Sequence, residues 1–151
     1  MGFLDNLKSK SQQMSQQLNT KKSQLKSKEF AQGSMAMCAL IAAADGSIDV
    51  VEQQKTTELI TTNEVLSIFD PRDLREIFDK YADKLRADYQ LGKVEAIQAI
   101  GKLRGKPDQA RATIQIGIII GGADGNFDEH EQAAVREACN AVGIAPGEFD
   151  L

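Results

Sequence analysis

The chain has 151 residues and a formal net charge of −4, a length that suits one domain with a sizeable core. Its two cysteines lack CxxC spacing, so the sequence predicts neither a zinc site nor a disulfide framework. The apolar runs are far shorter than the roughly 20 residues of a membrane span, and no signal peptide is recognisable. We therefore expect a soluble, cytoplasmic protein.

The first 29 residues form a basic segment. Six lysines against Asp5 and Glu29 give it a charge of +4, which leaves −8 for the remaining 122 residues. Its composition, rich in Ser, Gln and Lys, predicts a flexible tail over residues 1–29. A thin helical stripe of apolar residues allows a second interpretation, in which a weak amphipathic helix lies on an anionic membrane or against a partner. The stripe consists of Leu4, Leu7, Met14, Leu18 and Leu25.

From position 30 onward the apolar residues recur with helical spacing, which predicts an all-helical domain over 30–151. The first of its helices runs from Phe30 to Ala44 and stops at Gly46, a residue suited to a left-handed C-terminal cap. The next helix begins after Asp49, whose carboxylate can accept from the free N–H groups of the first turn. It ends near Asn63.

Further helices follow along the chain. Asp70 at the N-cap and Pro71 at the first helical position predict the start of one helix. An apolar stripe later in the sequence predicts the helix that follows it. Two more helices are predicted to start near Asp108 and Asp128, followed by a short turn over 146–149. No segment alternates with a period of two. The sequence therefore predicts an all-α fold of about seven helices.

A ten-residue motif occurs twice, as Ala44–Gln53 and as Ala123–Gln132. Both copies read Ala-Asp-Gly-x-apolar-Asp-x-x-Glu-Gln, and each follows an apolar run of helical length. We therefore predict two helix–loop–helix halves, 30–69 and 109–149, related by a pseudo-twofold axis and joined by a central helix pair. Six carboxylates would then face one another: Asp45, Asp49, Glu52, Asp124, Asp128 and Glu131.

The motif matches the second half of an EF-hand loop, but its first half is missing. The positions of the first ligands carry no side-chain oxygen, which excludes a self-contained EF-hand: they are Ile41, Ala43, Ile120 and Gly122. A shared site for Ca²⁺ or Mg²⁺ is a different hypothesis, since these ions take six or more oxygen ligands. Without a cation, six clustered carboxylates would repel one another.

A purely structural interpretation competes with the cation site. The glycine of each copy fits helix termination, and the second Asp with the Glu of each copy fits a capping box. Only Asp45 and Asp124 lack such a reason, because they stand at helix C-terminal ends, where the macrodipole disfavours anions. These two residues are the main sequence argument for the metal.

Other functional classes receive little support. The sequence has no phosphate-binding glycine loop and no hydrolase motif, and we expect that the protein is not an enzyme. An oxyanion-reducing enzyme would need an exposed, acidic thiolate, whereas Cys38 and Cys139 lie in apolar settings. Nucleic-acid binding is not expected either, because the basic segment lacks interleaved aromatic residues and the rest of the chain is acidic.

The paired motif, with Glu52 and Glu131 opening the helices that follow it, resembles the TerB family of bacterial tellurite resistance proteins over about 30–151. The resemblance implies an all-helical fold of two similar halves, and it carries the family's acidic motif onto the six carboxylates. It also implies partners among other tellurite resistance proteins, including a membrane protein of the TerC type and calcium-binding proteins of the TerD type.

We therefore expect a non-enzymatic, metal-responsive or scaffolding protein of the tellurite resistance and stress response system. Its candidate cofactor is a divalent cation, Ca²⁺ or Mg²⁺, and its expected location is the cytoplasm, with peripheral contact to the inner face of the membrane through the basic tail. The alternative is a pure interaction module whose acidic cluster docks a basic partner surface without metal.

Overall fold

The computed structural model describes residues 4–151, and no strand occurs among them. Seven α-helices within this range confirm the predicted all-α fold. They are α1 (Leu7–Lys21), α2 (Lys28–Ala42), α3 (Val50–Thr62), α4 (Pro71–Ala87), α5 (Tyr89–Gly101), α6 (Pro107–Gly121) and α7 (Glu129–Val142). None of these helices is both long enough and apolar enough to cross a membrane.

The centre of the molecule is α2, which packs against all five helices that follow it. Between Phe30 and Ile41 every residue except Gln32 is buried, as expected for a helix that is apolar on nearly all sides. α6 approaches α2 closely at Gly117, where an added Cβ would lie 2.5 Å from the Cγ of Met37. The absence of a side chain at this position lets the two helices pack directly together.

The helix starts follow from local capping chemistry. The carboxylate of Asp70 accepts from the backbone N–H of Arg72 at 2.9 Å, and Pro71 occupies the first helical position, as predicted. Ser27 caps α2 by accepting from the N–H of Phe30 at 3.0 Å. Such caps satisfy donors that have no partner within the helix, so these boundaries can be found from sequence alone.

The N-terminal segment differs from the flexible tail predicted for residues 1–29. α1 runs along α6 in the opposite direction, because Leu7 contacts Gly122 at the end of α6 while Lys21 lies 3.8 Å from Asp108 at its start. Four of the five residues of the predicted stripe face the core, whereas Leu4 is exposed: Leu7, Met14, Leu18 and Leu25 are buried. A polar composition did not prevent order here, because the segment buries four apolar side chains and α1 packs along α6. Residues 1–3 of the predicted tail lie outside the described residues.

Each predicted half of the chain contains a helix pair around one copy of the motif. In the first half α2 is followed by α3, and in the second half α6 is followed by α7. The connecting loops bring the two acidic motifs to the ends of α2 and α6, which pack side by side. The pseudo-twofold relation between the halves stays a prediction.

Candidate functional site

Both acidic loops turn at a glycine with a left-handed backbone. Gly46 has a φ of 99° and Gly125 a φ of 84°, a region in which a side chain would be strained. The Gly46 N–H donates to the carbonyl of Ala43 at 2.9 Å, and the Gly125 N–H donates to that of Gly122 at 2.9 Å. The motif therefore builds the same tight turn twice, directly after α2 and after α6.

The first carboxylate of each motif stabilises its own loop. Asp45 Oδ1 accepts from the N–H of Ser47 at 3.2 Å, and Asp124 Oδ1 accepts from the N–H of Asn126 at 2.9 Å. Each contact is an Asx turn, in which a side chain takes the place of a backbone acceptor. The sequence argument that these two residues have no structural reason is therefore wrong.

The second carboxylate of each motif caps the next helix, as predicted. Asp49 Oδ1 accepts from the N–H of Glu52 at 2.7 Å, and this bond is the main reason that the pKa of Asp49 is lowered. In α7 the capping box is complete. Asp128 accepts from the N–H of Glu131 at 2.9 Å, and the Glu131 carboxylate accepts from the N–H of Asp128 at 3.1 Å.

Five of the six predicted residues meet at one cleft of about 270 Å³, formed by both acidic loops. Asp49 is outside its lining. The floor of the cleft is apolar and includes Ile41, Ile120 and the partly exposed Leu59. The carboxylates stand around this floor: Asp45, Glu52, Asp124, Asp128 and Glu131. We call this feature the acidic cleft.

The two glutamates of the acidic cleft hold their protons more tightly than free glutamate. Burial, followed by the neighbouring charges of Asp128 and Asp124, raises the pKa of Glu131 to about 7. Burial also raises the pKa of Glu52, with Asp49 and Asp45 acting in the same direction. Near neutral pH the cleft therefore carries less negative charge than a count of its carboxylates suggests.

The carboxylate oxygens of the acidic cleft are not positioned to coordinate a metal ion together. Across residues 4–151, no three acidic, histidine or cysteine side chains stand close enough together to hold a metal ion. Binding of Ca²⁺ or Mg²⁺ at this cleft therefore requires the carboxylates to move inward. The arrangement also suits an organic cation, because the apolar floor can receive an aliphatic stem below a charged head group.

Several residues of the acidic cleft were missed by the sequence analysis. Cys38 and Leu59 belong to its apolar floor, and Lys55 of α3 also lines it. Helical spacing could have found them, since Lys55 and Leu59 follow Glu52 by three and seven positions and so share its face. Burial raises the pKa of Cys38 to about 12, so its thiol stays protonated at neutral pH.

Comparison with known proteins identifies related sequences. The family model described as tellurite resistance protein TerB matches residues 31–151, a region that contains both acidic loops and excludes α1. The tellurium resistance protein TerB of Alcaligenes sp is 30% identical over 118 residues, which cover 78% of this chain and 97% of that protein. No solved structure matches the chain significantly.

Proposed function

Since the chain belongs to the TerB family of tellurite resistance proteins, we propose that it acts in the tellurite response as a non-enzymatic module that responds to a divalent cation. One observation carries the cation hypothesis. Two copies of a motif that are 79 positions apart contribute carboxylates to the same cleft. Capping and Asx turns explain why each loop is acidic, but they do not require the two loops to meet.

The chemistry of the cleft favours a hard cation, Ca²⁺ or Mg²⁺, because the charged donors are carboxylate oxygens. The Asx turns engage Oδ1 of Asp45 and Asp124, and we expect Oδ2 of each to bind the ion. Glu131 would give up its proton on binding, since a nearby positive charge lowers the pKa of a carboxyl group. Inward movement of the loops would complete the ligand set.

The absence of catalysis is part of the proposal. The strongest nucleophiles of the chain are the thiols of Cys38 and Cys139, and burial is the main reason that their pKa values rise to about 12 and about 11. A thiol reaction with an oxyanion proceeds through the thiolate, which these environments suppress. Activity would instead lie in binding, and the proposed partners are other tellurite resistance proteins, of the TerC membrane type and the TerD type.

We also propose a cytoplasmic location with peripheral contact to the inner face of the membrane. The apolar stripe of α1 is buried, so this contact would depend on exposed N-terminal lysines such as Lys8, Lys26 and Lys28. Lysines near an anionic leaflet contribute on the order of 1 kcal/mol each.

A second candidate function is docking of a basic partner without metal. Leu59 is 38% exposed at the cleft, and the described carboxylates are too far apart to form a ligand set. A lysine or arginine side chain could place its stem on the apolar floor and its charge among the carboxylates. This function predicts binding of basic peptides in the presence of a chelator.

Thermal unfolding with and without divalent cations tests the proposal. Millimolar Ca²⁺ or Mg²⁺ should raise the Tm, because a ligand that binds only the folded state stabilises it by about 2.7 kcal/mol at a concentration of 100 Kd. The double variant Asp45→Asn/Asp124→Asn should lose this effect. Asn preserves an Asx turn, so the loops should stay folded in that variant.

The matched control is Glu58→Gln/Glu64→Gln, which removes two exposed carboxylates outside the acidic cleft and should keep the response to the cation. A Tm that does not move with either ion would refute the cation function. If a lysine-rich peptide then binds the wild type and not the double Asn variant, the docking function replaces it.

A further inference from the structure

A second groove is formed by the start of α2 and by α4. Its volume is about 760 Å³, and it shares no residue with the acidic cleft. One wall is drawn from residues 26–32, and the other from Phe69 and residues 73–80 of α4. Ligand pockets in proteins usually have volumes of about 300–1,000 Å³, so this α2–α4 groove has the size of a binding site for one small molecule.

Three apolar side chains line the α2–α4 groove: Ala31, Phe69 and Ile77. Phe69 and Ile77 pack against the hydrophobic core and keep part of their surface exposed to water. Phe69 is held in place by the buried Phe30, since the two rings stack with their centroids 6.1 Å apart. An aliphatic ligand that covers this apolar lining would remove apolar surface from water, which is favourable.

The α2 side of the groove is basic. Lys26 and Lys28 line it, and the lining on this side contains no acidic residue. Both lysines are exposed, and within residues 4–151 neither forms an ion pair. The start of a helix carries partial positive charge, which adds to that of the lysines. This side of the groove therefore favours an anionic group.

The α4 side carries charges of both signs. Asp73 and Glu76 are exposed there, and Lys80 follows Glu76 by about one turn. The Nζ of Lys80 lies over the ring of Tyr81, 5.4 Å from its centroid, and the Tyr81 hydroxyl donates to Oε1 of Gln32 at 3.3 Å. Because the two carboxylates repel an anion, a negatively charged head group is best placed on the α2 side.

We propose that the α2–α4 groove binds a single-chain anionic amphiphile of the fatty-acid type. The aliphatic chain would cover Phe69 and Ile77, and the carboxylate would lie beside Lys26 and Lys28. An aliphatic chain suits this lining better than a partner helix, whose apolar face needs a row of anchor sites over two or more turns. The inference is independent of the acidic cleft and of any cation there.

Calorimetric titration of the full-length protein with dodecanoate, below its micelle concentration, tests this site. Dodecanoate should bind saturably, with one molecule per chain. Its affinity should be at least about tenfold higher than that of dodecyltrimethylammonium, which has a similar chain and the opposite charge. Dodecyl maltoside, which is neutral, should fall between the two. The proposal is overturned if dodecanoate does not saturate, or if either of the other amphiphiles binds as tightly as dodecanoate.

A pair of variants tests the apolar lining. Ile77→Asp places a charge there and should weaken dodecanoate binding at least about tenfold. Val94→Asp makes the same change in charge at an exposed apolar position of α5 and should bind like the wild type. Equal affinities of the two variants would overturn the site. A ligand-free wild-type dimer that Ile77→Asp dissociates, measured by sedimentation, would show instead that a second copy of the chain covers the groove.

A second pair tests the basic side and decides the question if Ile77→Asp does not fold. Lys26→Gln/Lys28→Gln changes two exposed side chains and leaves the apolar lining intact, and it should weaken dodecanoate binding about threefold or more. Lys55→Gln/Lys102→Gln makes the same change in net charge at exposed sites outside the groove and should weaken binding less. Equal affinities of the two double variants would overturn the placement of the carboxylate.

Discussion

Glu131 joins a structural role to an electrostatic one. Its carboxylate accepts from the Asp128 N–H in the capping box, yet the same group lies half-buried in the acidic cleft beside Asp128 and Asp124. Burial raises its pKa to about 7, so the folded protein retains a proton that the unfolded chain, with an ordinary pKa of 4.5, has released. Folding and protonation are thus linked at this residue.

The linkage predicts that the stability of the metal-free protein falls as the pH rises. The contribution of Glu131 is fully present below pH 4.5 and is lost as the pH passes through about 7, because the charged form is disfavoured in the cleft. After a discount for solvent screening at this half-buried group, the loss is on the order of 1 kcal/mol. Glu52, whose pKa is also raised, acts in the same direction.

Urea unfolding in a chelating buffer, at about pH 5 and about pH 7.5, measures this loss. Glu131→Gln should flatten the pH dependence, since Gln can still accept from Asp128 and does not titrate. Glu58→Gln, at an exposed site on α3, serves as the control and should follow the wild type. The interpretation fails if Glu131→Gln and the wild type lose the same stability across this range.

At the scale of elements, α1 distinguishes a docked helix from a flexible arm. Leu18 is 3% exposed, and its truncation to Ala should cost about 2–5 kcal/mol if α1 is part of the core. Leu4→Ala, at an exposed position, should change stability by less than about 0.5 kcal/mol. Both free energies of unfolding can be measured by urea titration. Equal, negligible effects of the two substitutions would restore the flexible arm predicted from composition.

The contrast between α1 and the later helices explains what could be predicted from the sequence. Helix starts such as those at Asp70 and Asp128 depend on the cap residue and the next two or three residues. The local sequence therefore predicted them correctly. Docking of α1 depends instead on α6, which lies about 100 positions further along the chain. Most residues of α1 face solvent and dominate its composition. The few apolar residues that dock the helix contribute little to that composition, so a prediction from composition misses them.

The same distinction applies to the acidic cleft. The repeated motif predicted that its carboxylates would meet, and five of the six line one cleft. Asp49 does not, although Asp128, which makes the equivalent capping contact at the start of α7, does. The Asx turns at Asp45 and Asp124 were missed because the sequence was judged by the helix dipole alone, without the turn that follows each helix. Distances between the two loops are tertiary and could not be inferred.

At the scale of the whole molecule, charge is divided between a basic N-terminal segment of +4 and a remainder of −8. Ion pairs join the two parts: Lys10 with Asp150, Lys21 with Asp108, and Glu29 with Lys106. Partly exposed pairs of this kind are worth about 0–1 kcal/mol each, so the apolar stripe of α1 makes the larger contribution to docking. The proposed membrane contact would depend on the lysines of this segment that stay exposed.

Cosedimentation with vesicles that contain phosphatidylserine tests the proposed membrane contact. The full-length protein should bind at low salt and dissociate as salt rises, because screening weakens attraction between exposed charges. Lys26→Gln/Lys28→Gln should reduce binding, whereas Lys55→Gln/Lys102→Gln, at exposed sites outside the N-terminal segment, should reduce it less. Equal losses in the two double variants would show that contact depends on net charge and not on the N-terminal lysines.

Because both thiols are buried, the rate of their chemical labelling reports how often the helices of this protein open. Cys38 in α2 and Cys139 in α7 are at most 1% exposed, and their pKa values of about 12 and about 11 keep them protonated in the closed molecule. A disulfide reagent can therefore modify them only during excursions in which the helices separate. The labelling rate of each cysteine therefore measures how often its own helix opens. The two native cysteines report on two separate places, and no cysteine has to be introduced.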